Sequence, residues 1–301
     1  MNSVTNEASS FEQRALKALY DALVARRTNG SVSPSQLWRE VQLLRQMGRM
    51  HEAQRFCVEL LEADPTHEDA HRFIAILNGT TTAYPRPERS GIPAFLRIEN
   101  FLGAKDHASV TAEMVRVSRL GTGAQQAVMG SRENPSGETR LYVDIETRDA
   151  IQYPFPDTTR STIVAAMTNM RERIFQTIGM GDVVAEPREV HWVLQKEGGL
   201  LIIHRDDCGE ALSMATGNGR VASSLYYAHP MPGSFSGGGL RLYDWGDDPH
   251  SPGDPYTRIM PTDNSMLAFP ACAWHQVEPL SSVSPEPAAG RWAVVVWWHR
   301  V

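Results

Sequence analysis

The 301-residue sequence has few cysteines, no long hydrophobic run and no excess of positive charge. Its three cysteines form no Cys-x-x-Cys pair and are odd in number, so we expect reduced thiols of the kind found in the cytoplasm. No apolar run approaches the roughly 18 residues that a membrane-spanning helix needs, and the first ten residues lack the features of a secretory signal. The sequence therefore predicts a cytoplasmic protein with no membrane partner.

Charge and composition exclude further classes. A net charge of -6 and a pI near 5.9 give no electrostatic reason to expect a nucleic-acid partner. A content of 42% hydrophobic and 21% charged residues is ordinary for a globular protein. The length suits one sizeable domain with an appendage, or two small domains.

The first quarter of the chain has a helical pattern. From Phe11 to about Asn78, apolar residues recur at the spacing of amphipathic helices. Within residues 34–65 the pattern predicts a helical hairpin whose two helices are divided near Gly48. Residues 1–10 are polar and are expected to be disordered.

Part of residues 1–80 resembles one tetratricopeptide repeat. The resemblance covers about 34 residues, with small residues at Gly48 and Ala53, where two helices would cross closely, and Asp64-Pro65 at the exit. One repeat cannot bury its own apolar face, so we expect this segment to pack against the rest of the chain or to dock a protein partner. A structural cap is the simpler of these two interpretations.

The remainder of the chain is predicted to be one larger domain. A proline-interrupted linker at residues 81–91 precedes it, and the domain covers residues 92–301. It opens with a strand near 92–102 and contains amphipathic helices at 105–120 and 158–178. Strand signals then dominate, with glycine and proline turns between them, which is typical of a β-sandwich or jelly roll braced by the helices. The core strands are predicted at residues 189–195, 200–206, 221–228, 238–244, 265–269, 272–277 and 291–299. The fold class is therefore α+β.

Three of these strands carry isolated polar side chains among apolar ones. His204 and Asp206 stand at i and i+2, so both point to one face of an extended strand; alone they could equally be an ion pair at a strand end. With His275 from a distant strand they form the two-histidine, one-carboxylate set that suits Fe(II) and oxygen chemistry. Arg291 lies in a continuous buried strand, where its planar fork would bind a carboxylate, best supplied by a cosubstrate. The other histidines of these strands are expected to be packed rather than ligands: His191, His229 and His299.

These residues, in this order, resemble the 2-oxoglutarate and Fe(II)-dependent oxygenases, specifically the prolyl-hydroxylase-like branch. Three segments are similar to successive core strands of cellular oxygen-sensing prolyl hydroxylases: Gly219-Arg-Val-Ala-Ser-Ser-Leu-Tyr-Tyr-Ala, Gly237-Gly-Gly-Leu-Arg-Leu-Tyr and Gly290-Arg-Trp-Ala-Val-Val-Val-Trp. The likeness runs from about Glu189 to His299. It implies a double-stranded β-helix, or jelly roll, as the core.

The resemblance also implies roles for individual residues. Fe(II) would be bound by His204, Asp206 and His275, and the distal carboxylate of 2-oxoglutarate by Arg291 and Tyr227. Dioxygen would be the third reactant. The other residues expected at the site are Gln195 on the cosubstrate side and Arg220, Asp207 and Trp274 on the substrate side.

The implied activity is a dioxygenase that couples decarboxylation of 2-oxoglutarate to hydroxylation of an unactivated C–H bond. A small molecule or free amino acid is the expected substrate, and a protein residue or carrier-tethered group is the alternative. Desaturation, epoxidation and ring closure stay open, because the same iron centre serves them. A non-catalytic tetratricopeptide-type adaptor is the rival from another class, and the intact ligand set argues against it. Substrate recognition is expected in residues 121–157, 245–262 and 281–289.

Overall fold

The elements of the chain follow the change in apolar spacing along the sequence. The structure is a computed structural model, and it describes residues 2–27, 32–80, 91–131, 140–207, 219–248, 250–282 and 284–301. The helices in these ranges are α1 (Asn2–Arg27), α2 (Pro34–Gln46), α3 (Met50–Ala63), α4 (Glu68–Leu77), α5 (Ala104–Leu120), α6 (Asp157–Asn169) and α7 (Arg171–Thr177). The strands are β1 (Leu96–Glu99), β2 (Gln125–Gln126), β3 (Met129–Ser131), β4 (Arg140–Tyr142), β5 (Ile151–Tyr153), β6 (Ala185–Gln195), β7 (Leu201–His204), β8 (Arg220–Ala228), β9 (Phe235–Gly237), β10 (Leu240–Trp245), β11 (Pro252–Ile259), β12 (Ser265–Pro270), β13 (His275–Val277), β14 (Leu280–Ser282) and β15 (Arg291–Arg300).

The predicted helical hairpin is present as α2 and α3. Ser33 caps α2, because its hydroxyl accepts a hydrogen bond from the backbone N–H of Gln36. Gly48 separates the two helices with φ 74°, a left-handed conformation that glycine adopts without strain. The prediction of disorder for residues 1–10 was wrong from residue 2 onward, because α1 begins at Asn2 and no proline or glycine interrupts the sequence before Gly30.

The strands form two larger antiparallel sheets. One has seven strands in the order β1-β12-β8-β15-β6-β5-β2, and the other has four in the order β11-β10-β13-β7. The seven predicted core strands are all present. β11 was not predicted, because its two prolines made residues 252–259 look like a loop. The single helix predicted at 158–178 is two helices that meet at Met170, although apolar spacing continues through the break.

Helices cover the outer face of each sheet. Helices α5, α6 and α7 share a buried cluster with the seven-stranded sheet, in which Met114 and Ile174 pack with Trp298. The N-terminal helices share a second cluster with the four-stranded sheet, through residues such as Leu44 and Leu242. The N-terminal segment therefore packs on the rest of the chain, as expected of a face that cannot be buried alone.

The linker predicted at 81–91 lies outside the described residues except for its last residue. No helix in the described part of the chain is long and apolar enough to cross a membrane.

A buried ion pair joins the N-terminal helices to the four-stranded sheet. The guanidinium of Arg45 donates two hydrogen bonds to the carboxylate of Asp244, one of them 3.1 Å long, and its Nε lies 3.1 Å from the hydroxyl of Thr257. Arg45 is fully buried. Burial raises the pKa of the Asp244 carboxyl, and the charge of Arg45 opposes that shift.

We expect Arg45→Ala to lower the free energy of unfolding by about 3–5 kcal/mol, because it leaves the Asp244 carboxylate buried without its partner. Urea unfolding of wild type and variant measures the loss. Lys17→Ala is the matched control, since Lys17 and Asp21 form an exposed pair, which contributes about 0–1 kcal/mol. An equal loss of unfolding free energy in the two variants would contradict a stabilising role for the buried ion pair between Arg45 and Asp244.

Candidate metal and cosubstrate site

Strands of the four-stranded sheet bring together His204, Asp206 and His275. His204 ends β7 and lies opposite His275 in β13, and the backbone N–H of Asp206 donates to the carbonyl of Ala271. One ligand atom from each of the three side chains lies within 4.8 Å of the others. Each histidine Nε2 is 3.5 Å from a different oxygen of the Asp206 carboxylate. Among the described residues, this is the group that could hold a metal ion.

Both histidines present the nitrogen that a metal would need. His204 Nδ1 lies 2.8 Å from the carbonyl oxygen of Ile202, and His275 Nδ1 lies 2.9 Å from that of Ala273. A carbonyl oxygen can only accept, so each Nδ1 carries the proton and donates it. In the neutral form of each ring the lone pair is therefore on Nε2, the nitrogen that lies beside Asp206, which is the usual arrangement of a metal-binding histidine.

The charge states of the group also suit a cation. Burial raises the pKa of Asp206, but interactions with His275 and His204 and a hydrogen bond from the Ser223 hydroxyl outweigh burial, so the pKa of Asp206 is lowered. Burial, aided by the nearby His204, lowers the pKa of His275 to about 4. Near neutral pH the site therefore offers one carboxylate and an unprotonated His275, as a metal ligand must be.

Ser223 was not predicted, although it holds the Asp206 carboxylate. We expect Ser223→Ala to weaken Mn(II) binding by about 10- to 100-fold, because outer partners fix the orientation and basicity of a ligand. Titration of the metal-free protein with Mn(II) measures the change. Ser224→Ala is the control: Ser224 is equally buried and adjacent, but its hydroxyl accepts from Trp298 Nε1 instead. A comparable loss in both variants would show that Ser223 acts only through packing.

A buried guanidinium with no carboxylate partner among the described residues occupies the other end of the site. Arg291 NH1 donates to Gln195 Oε1 at 2.6 Å and NH2 donates to the hydroxyl of Tyr227 at 3.1 Å. Its Nε has no hydrogen-bond partner among the described residues. Burial lowers the pKa of Arg291, and its interaction with Tyr227 opposes the shift. A Cβ at Gly238 would lie 2.9 Å from Arg291 Cδ, so glycine makes room for this side chain. A fully buried cation with only neutral partners is costly unless an anion completes the site.

The metal-ligand group and Arg291 line one cavity of about 460 Å³ between the two sheets. Side chains alternate along a strand, so every second residue of β6 and β15 faces it. These residues are Glu189, His191, Val193 and Gln195 of β6, and Arg291, Ala293, Val295 and Trp297 of β15. The apolar members surround the middle of the cavity, and charged residues lie at its two ends.

The four remaining site residues of the sequence prediction do not all lie here. Gln195, Asp207 and Arg220 line the cavity, whereas Trp274 does not. His275 points inward, and because side chains alternate, the preceding Trp274 points away from the cavity. Its ring instead lies 5.8 Å from the guanidinium carbon of Arg205. Asp207 is engaged with the same Arg205, at 2.7 Å.

Arg220 forms a compact polar cluster with Glu189. Its Nε lies 2.7 Å from the Glu189 carboxylate, and its guanidinium carbon lies 3.8 Å from the centre of the Trp297 ring. His299 Nε2 lies 2.8 Å from the same carboxylate. Burial raises the pKa of Glu189, but the hydrogen bonds and charges of Arg220 and His299 outweigh burial, so the pKa is lowered. The prediction that His299 is a packed histidine agrees with this contact.

Three cavity residues were missed or set aside in the sequence. Arg148 and Gln152 come from the region between β4 and α6, part of the 121–157 stretch expected near the substrate. His191 was expected to be packed, and it instead faces the cavity. By contrast, no described residue of 245–262 or 281–289 lines it. A role of those two loops in substrate recognition stays a prediction.

The part of the chain that contains the site is similar in sequence to known proteins. Residues 190–299 match the 2OG-Fe(II) oxygenase superfamily. The matched residues include His204, Asp206, His275 and Arg291. Proteins of the superfamily use Fe(II), 2-oxoglutarate and dioxygen, and the three-residue ligand group of this chain could hold the iron. An uncharacterized PKHD-type hydroxylase of Synechocystis sp. is 30% identical over 143 residues, which are 45% of this chain and 46% of that protein. The chain thus spans about half the length of this curated relative.

Solved structures resemble the chain at lower identity. A prolyl hydroxylase from Trichoplax adhaerens, in complex with a hypoxia inducible factor peptide fragment, has a TM-score of 0.49 and 18% identity, covering 69% of this chain and 84% of its own. A prolyl-4-hydroxylase of Pseudomonas putida has a TM-score of 0.45 and 19% identity, covering 69% and 92%. Neither similarity identifies a substrate of this chain.

Proposed function

We propose that this protein is a 2-oxoglutarate- and Fe(II)-dependent dioxygenase that hydroxylates an unactivated C–H bond of a small molecule or amino acid. One observation carries the proposal: Arg291, a buried cation with no carboxylate partner among the described residues, lines the same cavity as a group of three candidate metal ligands. That combination suits a metal and an anionic cosubstrate bound side by side. We infer a double-stranded β-helix for the two sheets that enclose it.

The residues of the chain have distinct tasks in this proposal. His204, Asp206 and His275 would hold Fe(II) on one face and leave positions open on the other. Arg291 and Tyr227 would fix the distal carboxylate of 2-oxoglutarate, with Gln195 holding the guanidinium in place. Fe(II) with 2-oxoglutarate supplies the oxidising chemistry, converting 2-oxoglutarate and dioxygen to succinate and carbon dioxide while one oxygen atom enters the substrate.

The apolar middle of the cavity excludes water from the reacting atoms. Val193, Leu225, Phe269 and Ala293 line it, and none of them offers a hydrogen bond. A bound substrate would be positioned by polar residues at the rim and kept close to the metal by apolar contact. The volume of about 460 Å³ lies in the lower part of the range for small-molecule sites, about 300–1,000 Å³, and the cosubstrate must share it. This supports a small substrate.

For residues 1–80 we propose a structural cap that contains a tetratricopeptide-like hairpin. Glu12 of α1 accepts hydrogen bonds from Arg241, at 3.1 and 2.6 Å, and from the hydroxyl of Tyr256 at 2.8 Å. Together with Arg45 and Asp244, these contacts join the helices to the four-stranded sheet. A segment bound so firmly to its own sheet suits support better than reversible docking of a partner.

Succinate formation tests the proposed activity. The purified protein, supplied with Fe(II), 2-oxoglutarate and dioxygen, should form succinate slowly even without its substrate, because cosubstrate can be consumed uncoupled. Leaving out either Fe(II) or dioxygen should abolish the product. Succinate that accumulates equally without Fe(II) would point to a contaminating activity and contradict the proposal.

A further inference from the structure

The cavity contains a second guanidinium, that of Arg148, which has no carboxylate partner among the described residues. Arg148 donates one hydrogen bond, from NH1 to the carbonyl oxygen of Val128 at 3.0 Å. No carboxylate oxygen of the described residues lies within ion-pair distance of it, whereas Arg205 is paired with Asp207 and Arg220 with Glu189. Arg148 is half-buried, and burial lowers the pKa of its guanidinium.

The backbone around Arg148 is fixed to the strand that supplies the metal ligands. The N–H of Ile202 donates to the carbonyl of Thr147, and the N–H of Asp149 donates to the carbonyl of Leu200, both at 2.9 Å. Arg148 therefore lies directly opposite Leu201 in β7, three residues before His204. Its position beside the ligand group is set by these main-chain bonds and not by a free loop.

Arg148 and Arg291 serve different parts of the cavity. On the inward face of β6, Gln195 contacts Arg291, and Glu189 lies six residues away, about 20 Å along the strand. Arg148 lines the cavity together with His191, Asp206 and Arg220, and its printed hydrogen bond is to Val128, whereas those of Arg291 are to Gln195 and Tyr227. An anion on Arg148 would therefore not compete with a cosubstrate carboxylate on Arg291.

We propose that Arg148 binds a carboxylate of the substrate, so that the protein acts on a small organic acid such as an amino acid. The inference rests on the proposed function and narrows its substrate class. One unpaired cation matches one negative charge, and the planar guanidinium holds a carboxylate through two hydrogen bonds. Gln152 and His191, which line the same cavity, offer an amide and an imidazole to the polar groups beside that carboxylate. The carboxylate sets specificity by anchoring the substrate over the metal group.

Paramagnetic relaxation of two small fluorinated probes tests this assignment without any turnover. The protein is loaded with Mn(II) and saturating 2-oxoglutarate, and the ¹⁹F relaxation of trifluoroacetate is compared with that of trifluoroacetamide, which has nearly the same shape but no charge. The wild type should enhance relaxation of the acid and not of the amide. Arg148→Gln should weaken trifluoroacetate binding by about tenfold or more, since a charged hydrogen-bond partner is lost. Arg148→Lys should retain part of it.

Arg160→Gln is the matched control. Arg160 is exposed, does not line the cavity and also acts electrostatically on His191. The substitution therefore removes one positive charge near His191 but leaves Arg148 in the cavity. Its trifluoroacetate binding should equal that of wild type. Equal enhancement in wild type and Arg148→Gln, or an enhancement that disappears as 2-oxoglutarate is raised, would overturn the inference. Failure of the wild type to form succinate would count instead against the proposed function.

Discussion

Replacing Asp206 with alanine is expected to remove Fe(II) binding and succinate formation together. Asp206 supplies the one carboxylate of the ligand group and lies 3.5 Å from each histidine Nε2. Loss of a residue that merely orients a ligand costs about 10- to 100-fold in metal affinity, so loss of the ligand itself should cost more than about 100-fold. Isothermal titration with Mn(II), and succinate formation at saturating 2-oxoglutarate, measure the two effects.

The matched control for this variant is Asp248→Ala. Asp248 is an exposed aspartate outside the cavity, bonded to its neighbours His250 and Ser251. It changes the net charge of the protein by the same amount and should leave metal affinity unchanged. If Asp206→Ala bound Mn(II) as tightly as Asp248→Ala, the ligand group would not be the metal site.

Arg291→Met is expected to separate cosubstrate binding from metal binding. Removing one partner of a buried, hydrogen-bonded charge pair costs about 2–5 kcal/mol, so 2-oxoglutarate affinity should fall by about thirtyfold or more. Mn(II) affinity should stay within a few-fold of wild type, because the residue contacts Gln195 and Tyr227 and no metal ligand. Titration of the Mn(II)-loaded protein with 2-oxoglutarate measures the first effect.

Stability gives a second readout of the same variant. At a concentration a hundred times its Kd, a ligand stabilises the folded state by about 2.7 kcal/mol, so 2-oxoglutarate should raise the unfolding midpoint of the Mn(II)-loaded wild type and not that of Arg291→Met. Arg188→Met is the control, because Arg188 lies in the same sheet and forms only an exposed pair with Glu186. Unchanged 2-oxoglutarate affinity in Arg291→Met would remove Arg291 from the cosubstrate site.

The central site residues could be predicted because their signals are local. His204 and Asp206 share a face because side chains alternate along a strand, and Arg291 begins an unbroken apolar run. Each of these two signals is contained in a stretch of about ten residues. The same reasoning explains why Trp274 does not line the cavity. Adjacent positions on a strand point to opposite sides, so a neighbour of His275 had to face away.

Other features depend on contacts between distant parts of the chain. Arg148 reaches the cavity because residues 147–149 pair with β7, and nothing in the local sequence specifies that pairing. The order Ser223-Ser224 does not tell which hydroxyl faces inward until the register of β8 is known. The break at Met170 interrupts a helix whose apolar spacing continues, and β11 contains prolines that favour a loop.

The central claim is that this cavity binds Fe(II) and 2-oxoglutarate together, and anaerobic visible spectroscopy tests it most directly. Adding both to the metal-free protein should produce the weak charge-transfer band of a keto acid chelated to iron, with neither component alone producing it. His204→Ala should abolish the band. A wild-type protein that is folded but shows no band at saturating Fe(II) and 2-oxoglutarate would contradict the account.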